Sequence, residues 1–345
     1  MRMKKILLFV LLLIAGNAFS QMGGKNAYAL LGLTFNARSA GLAGNFITAK
    51  DYDINLGVAN PSLLNEQMHQ VVSVSQALYA GRINYGMFSY GHQIKEKHTI
   101  AAHIRYVAYG KMTRTDKNGV EMGTFSPFEY ILGVGYAYKI NPLFSVGANV
   151  NIIGSHLEVY NSYGTSIDLA ATFLNKSETF LATVLFKNVG FQFNKYGTKR
   201  APLPADFQLG VSYRLKHAPF RFSIVYHHLN KWDLTYSDPN AQPTVDLLTG
   251  DTIPVKKAKF FEKLGQHFTY QIEILATKNI HFRAGFDYYT RQSMKLEKKP
   301  GIAGFSFGLG LHFRKISFDY GFSFYSKAGF NNMITLSSNI GAFRK

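Results

Sequence analysis

The stretch Phe305-Ser306-Phe307-Gly308-Leu309-Gly310-Leu311-His312-Phe313, followed after Arg314-Lys315 by Ile316-Ser317-Phe318-Asp319-Tyr320-Gly321-Phe322-Ser323-Phe324, decides the fold. In the first run Phe305, Phe307, Leu309, Leu311 and Phe313 share one face, while Ser306, Gly308, Gly310 and His312 share the other. In the second, Ile316, Phe318, Tyr320, Phe322 and Phe324 oppose Ser317, Asp319, Gly321 and Ser323. A period of two is the signature of a β-strand, because successive side chains point to opposite faces. The two runs are joined by a tight turn, which reads as a hairpin. Their length is the discriminating property. Soluble strands usually run about 5–6 residues, whereas a tilted strand needs about 9–11 to cross a bilayer.

The same pattern recurs upstream. Phe128, Tyr130, Leu132, Val134, Tyr136 and Tyr138 oppose Glu129, Gly133, Gly135 and Lys139, and Ile280, Phe282, Ala284, Phe286 and Tyr288 oppose His281, Arg283, Gly285 and Asp287. Strands are expected near 70–79, 82–93, 97–109, 126–139, 143–157, 163–173, 178–188, 205–216, 219–228, 267–276, 280–290, 301–313, 316–326 and 333–343. That is about fourteen, an even number, as single-chain bacterial barrels have. Every second connection is short, such as Ile94-Lys95-Glu96, Ile140-Asn141-Pro142 and Thr277-Lys278-Asn279. Most of the others are longer (110–125, 158–162, 189–204, 229–266, 291–300 and 327–332). Tight periplasmic turns alternating with larger extracellular loops mark an outer-membrane barrel and separate it from a secreted sandwich. The fold class is therefore all-β: a transmembrane antiparallel β-barrel of about 14 strands over 70–345.

Residues 1–20 read as a signal peptide. Arg2, Lys4 and Lys5 precede the apolar run Ile6 to Ala15, and Ala18-Phe19-Ser20 invites cleavage before Gln21. The localisation expected is the outer membrane. Residues 21–69 contain Gly23-Gly24 and Asn60-Pro61-Ser62-Leu63-Leu64 and show no strand periodicity. A barrel of this width has room inside, so this segment is expected to be an N-terminal periplasmic plug with a short helical piece around 62–69.

Composition agrees and narrows the chemistry. The chain has 29 Phe, 21 Tyr and 31 Gly, and a mean hydropathy of −0.05, which suits strands with one face in lipid and one in water. There is no Cys, which removes disulfides, thiol catalysis and Cys zinc sites. The formal charge is +18, or +15 once Arg2, Lys4 and Lys5 are removed (18 − 3). For an exported chain this points to outer-membrane lipid, lipopolysaccharide phosphate or an acidic protein, and not to nucleic acid.

Motifs for catalysis are missing. There is no GxSxG and no HExxH. His227 and His228 are adjacent on a strand and point to opposite faces, which is poor geometry for a metal. Asp168, Glu273, Asp287 and Asp319 alternate with apolar residues and so are expected to line the lumen as partners of Arg105, Arg214, Arg283 and Lys139. No catalytic, cofactor or metal residues are assigned, and the protein is not expected to be an enzyme.

The connection 229–266 is far longer than a turn requires, and long loops carry function or are disordered. It holds the single Trp, in Trp232-Asp233-Leu234-Thr235-Tyr236, and the basic cluster Lys256-Lys257-Ala258-Lys259. Aromatics beside charges suit an interface. Trp232, Asp233, Tyr236, Lys256, Lys257 and Lys259 are the candidate partner-binding residues. The other reading of Trp232 and Tyr236 is an aromatic girdle at headgroup level.

The run Ala37-Arg38-Ser39-Ala40-Gly41-Leu42-Ala43-Gly44, followed by Asn60-Pro61-Ser62-Leu63-Leu64, resembles the N-terminal segment of FadL-like barrels of Bacteroidetes. Pro202-Leu203-Pro204, Phe207-Gln208-Leu209-Gly210, His217-Ala218-Pro219-Phe220-Arg221 and Leu229 to Tyr236 resemble the PorQ family of the type IX secretion system. The resemblance implies an anchor for a PorZ-like surface protein. With components resembling PorV and the sortase PorU, such a barrel serves the attachment complex that joins secreted cargo to anionic lipopolysaccharide. The FadL likeness implies the alternative, a transporter of hydrophobic or small solutes.

Overall fold

A computed structural model describes residues 26–78, 83–196, 200–235, 243–245, 252–253, 258–294, 301–326 and 329–343. Fourteen strands form one closed antiparallel barrel in sequence order. They are β1 (Val71–Leu78), β2 (Asn84–Lys95), β3 (His98–Ala108), β4 (Phe128–Lys139), β5 (Phe144–Leu157), β6 (Tyr160–Leu174) and β7 (Phe180–Gln192). There follow β8 (Asp206–Arg214), β9 (Phe220–Tyr226), β10 (Phe268–Ile274), β11 (Ile280–Asp287), β12 (Phe305–His312), β13 (Ile316–Ser326) and β14 (Gly329–Asn339). Closure comes from β1 pairing β14, in register from Val71↔Asn339 to Leu78↔Asn332.

Alternation along each strand sets the two faces. In β4 Phe128, Leu132, Val134 and Tyr136 are exposed, while Glu129, Ile131, Gly133, Gly135 and Ala137 are buried. Outward positions around the barrel are large and apolar, among them Phe88, Val150, Leu169, Phe222 and Leu336. Inward positions are small or polar, among them Ser73, Ser89, Asn151, Ser166, Gln271 and Ser323. An apolar exterior over a polar interior is the reverse of a soluble domain and suits a wall standing in lipid. Among the described residues no helix is long and apolar enough to cross a membrane.

Several element ends differ from the sequence reading. The sixth and fourteenth strands begin at Tyr160 and Gly329, earlier than 163 and 333. The loop expected at 158–162 is a two-residue turn, with Glu158 at φ 58. Backbone pairing persists there past the apolar belt, where the hydrophobic pattern has already stopped. Residues 288–290 belong to a helix and not to the eleventh strand. The Asp287 carboxylate accepts hydrogen bonds from the Thr290 amide (2.8 Å) and hydroxyl (2.5 Å), which satisfies an N-terminal orphan donor and starts the turn.

The segment before β1 fills the lumen. It contains two short helices, α1 (Ala37–Gly41) and α2 (Ile54–Ala59), with single turns at Ala29–Gly32, Pro61–Leu63 and Glu66–Met68. Four of these begin at a side-chain cap: Asn36 to Ser39 N, Asp53 to Asn55 N, Asn60 to Ser62 N and Asn65 to Gln67 N. Asn and Asp favour caps because their oxygens satisfy the free amides of a first turn. The helical content thus extends well upstream of 62–69. Tyr28 reaches Ser162 at the long-loop end (2.7 Å), and the His69 carbonyl accepts from Asn339 Nδ2 (3.2 Å) at the end of β14, at the short-turn end. The plug therefore runs the height of the lumen, beyond the short-turn end where its place in the chain suggested it would sit.

Candidate functional site

The middle of the lumen is organised around Arg38. This residue lies in α1, which Gly308 and Gly321 allow to press directly on the wall. A Cβ at Gly321 would stand 2.0 Å from the Ala37 carbonyl oxygen, and one at Gly41 would stand 2.8 Å from the Gly308 Cα. The guanidinium of Arg38 donates from Nε to Glu273 Oε1 (2.9 Å) and from Nη2 to Asp51 Oδ2 (2.8 Å) and Glu273 Oε2 (3.1 Å). Its Nη1 donates to Asp51 Oδ1 (3.0 Å) and reaches Asp53 Oδ2 at 3.5 Å. Around it, Arg221 bonds Glu273 (2.5 Å), and Arg283 bonds Glu273 (3.2 Å) and Asp319 (2.6 Å). Arg38, Glu273 and Arg283 are almost fully buried.

Three guanidiniums thus face four carboxylates, a balance of −1 (3 − 4). A buried charge without full compensation is costly, and the usual relief is a proton. Among the three carboxylates paired with Arg38, Asp53 makes the longest contact, at 3.5 Å, and its ionised form is the least compensated. Burial pushes its pKa up from 3.8 to about 6, Arg38 opposes this, and Asp319 and Asp51 add to it.

A second polar layer lies beside α2. Asp168 accepts from the Asn188 amide (2.7 Å) and from Asn151 Nδ2 (3.2 Å), and Asn151 Oδ1 accepts from Arg105 (3.1 Å). Asp168, Glu273, Asp287 and Asp319 do line the lumen, and Arg105 and Arg283 join them there. Lys139 bonds the plug residue Glu66 (3.1 Å). Arg214 is exposed at the end of β8 and is not a lumenal partner. It lies past the point where the wall encloses the plug, so its side chain stays in water. Arg38, Asp51, Asp53 and Arg221, the centre of the network, were not singled out by strand periodicity. The signal available was opposite charge, Arg38 against Asp51 and Asp53, in a segment otherwise small and apolar.

At the long-loop end a cavity of about 280 Å³ separates the plug from the wall. Leu31, Leu33 and Phe324 form its apolar side, and Lys187, Asp206, Gln208, His227 and Asp287 its polar side. The Gln208 side-chain oxygen is buried and has no partner among the described residues. Among the described residues no group of three or more His, Asp or Glu has a metal-holding arrangement.

The candidate docking residues divide. Tyr236, Lys256 and Lys257 lie outside the described residues. Trp232 is 45% exposed and packs on Phe260 of α3 (Phe260–Gly265), with ring centroids 5.3 Å apart, and on His267 (5.7 Å). Asp233 binds Lys263 of the same helix (2.5 Å). Lys259 occupies the position before α3 without a side-chain cap bond and is exposed. Phe260, Phe261 and Lys263 are brought to this cluster by folding and carry no separate signal in the sequence.

No family model and no curated protein sequence matches the chain. Solved structures do match over most of its length. The toluene transporter TodX of Pseudomonas putida has a TM-score of 0.56 at 11% identity, covering 89% of this chain and 98% of that one. The toluene transporter TbuX of Ralstonia pickettii has a TM-score of 0.53 at 13% identity, with the same coverage. A FadL homologue of Pseudomonas aeruginosa has a TM-score of 0.50 at 12% identity, covering 88% and 97%. The chain therefore has the fold of these FadL-type barrels, of which TodX and TbuX are described as toluene transporters. No sequence match supports the PorQ resemblance.

Proposed function

We propose that the protein is an outer-membrane barrel that takes up a small, partly apolar solute from its long-loop side. The observation behind this reading is the cavity of about 280 Å³ between plug and wall. It lies just under the ~300 Å³ lower end of ligand pockets, and it combines an apolar side with a few convergent polar groups. The likeness in fold to toluene transporters supports the same reading. The test is uptake of a labelled monoaromatic solute by cells with the wild-type gene, without it, and with Ser306→Phe, which places a ring in the cavity. Uptake should fall in both altered strains, and equal uptake in all three refutes the reading.

A second reading is favoured by the fit of the plug. Its backbone touches the wall at Gly321 and Gly308, and again at Gly147, where a Cβ would stand 2.4 Å from the Pro61 carbonyl carbon. A lumen filled in this way suits a scaffold working through its outer face. On this reading the barrel anchors a PorZ-like surface protein, beside PorU- and PorV-like components, through Asp233, Lys259 and their neighbours. Deleting the gene should then release surface proteins into the medium and leave solute uptake intact.

A further inference from the structure

The barrel wall is uneven in height. Strands β5, β6 and β7 have 14, 15 and 13 residues, whereas β9 and β10 have 7 each and β11 has 8. Seven residues rising about 3.3 Å each at a tilt of about 40° cover roughly 18 Å along the membrane normal, against an apolar belt about 25 Å tall. On the short side the strands alone leave several ångströms of outer leaflet without a wall.

The missing height coincides with α3. Outward-facing Tyr226, Phe268 and Tyr270 form a stack, with centroids 4.9 and 6.2 Å apart. From Tyr226 the stack continues through His267 (5.3 Å) to Trp232, then to Phe260, and from there to Phe261 (5.4 Å). On the other flank Gly265 of α3 lies against the Tyr288 ring, which packs on outward-facing Phe286 (6.4 Å). So α3 stands above the lipid-facing ends of β10 and β11 and is continuous with them. Phe260 is 60% and Phe261 82% exposed. Two adjacent Phe side chains this exposed favour removal from water.

We propose that α3 and the Trp232 segment complete the wall on this side, seated in the outer leaflet with Phe260 and Phe261 among the lipid acyl chains. Continuity with the lipid-facing belt selects lipid over a protein as the occupant. The salt bridge from Lys263 to Asp233 ties the helix to the start of its own loop, and Lys259 at its N-terminus reaches the headgroup level, where amphipathic helices keep their lysines. This assignment is independent of what the lumen carries. It removes Trp232 from the surface free to bind a partner and leaves Asp233 and Lys259 there.

The single Trp makes the test direct. Wild-type protein is reconstituted in phosphatidylcholine vesicles brominated on the acyl carbons nearest the headgroup, and separately exposed to aqueous iodide in unbrominated vesicles. Most Trp232 emission should be lost to the brominated lipid and little to iodide. A Phe261→Trp reporter in a Trp232→Phe background should respond in the same way, with barrel assembly checked by heat-modifiable gel migration. If the two reporters disagree, the Phe261→Trp reporter decides. Loss of its emission to iodide, without quenching by brominated lipid, places α3 in water and overturns the proposal in favour of a protein-binding surface.

Discussion

Replacing Arg38 by Met should undock the plug. The substitution keeps the length of the side chain and removes its charge, so the steric fit of α1 against Gly308 and Gly321 is largely preserved. Three of the carboxylates around Arg38 lose an ion-pair contact: Asp51 at 2.8 Å, Glu273 at 2.9 Å and Asp53 at 3.5 Å. Glu273 keeps Arg221 and Arg283, and Asp51 keeps only Arg221 at 3.8 Å. The local balance moves from −1 (3 − 4) to −2 (2 − 4). Breaking one side of a buried ion pair costs about 3–5 kcal/mol, which would raise the undocked population about a thousandfold. The assay is limited proteolysis of the folded barrel in detergent, following cleavage within 26–69 by mass spectrometry. Adding Asp51→Asn returns the balance to −1 (2 − 3) and should recover part of the protection. Cleavage of Arg38→Met at the wild-type rate would refute the idea that this network holds the plug.

Three further outcomes follow from the same geometry. Because the Asp53 pKa is raised in the folded protein, the neutral form is the one folding favours. Its contribution is present below pH 3.8 and lost as pH rises through about 6. The displacement is worth at most about 3 kcal/mol, and Asp53→Asn should flatten thermal stability between those two pH values in a calorimetric series. Gly321→Leu should cost more than the ~1–3 kcal/mol of ordinary overpacking, because its Cβ would meet backbone at 2.0 Å, with the loss read as early cleavage of the plug while the barrel stays heat-modifiable. An epitope inserted after Asp116, in the hairpin formed by Met112–Thr115 and Glu121–Phe125, should label on intact cells. One after Asn279 should not, and the reverse pattern would invert the orientation.

The barrel was legible in the chain because its cause is local. Each strand carries its own record of lipid on one side and lumen on the other, as Phe305 to Phe313 shows, and the fourteen records add up to the closed sheet observed. The ends of strands were less legible where that cause stops. Beyond the belt Tyr160 and Asn161 are both exposed and Ser162 meets the Tyr28 hydroxyl of the plug, so pairing there leaves no hydrophobic pattern. The plug was visible as a stretch that is not strand, with a short helical piece expected around 62–69. Its cap residues Asn36, Asp53, Asn60 and Asn65 were present in the sequence, but small capped turns have no periodicity long enough to stand out.

What the sequence by itself determined is the class of fold, the inward placement of Asp168, Glu273, Asp287 and Asp319, and the absence of thiol chemistry. What only the tertiary structure decided is which charges meet. Arg38 and Glu273 are 235 residues apart, and nothing local to either identifies the other. The uneven wall and the seat of α3 belong to the same category. Strand length sets how far each part of the wall reaches, but only closure of the barrel puts Trp232, Phe260 and Phe261 above the short strands, where the missing height has to be made up.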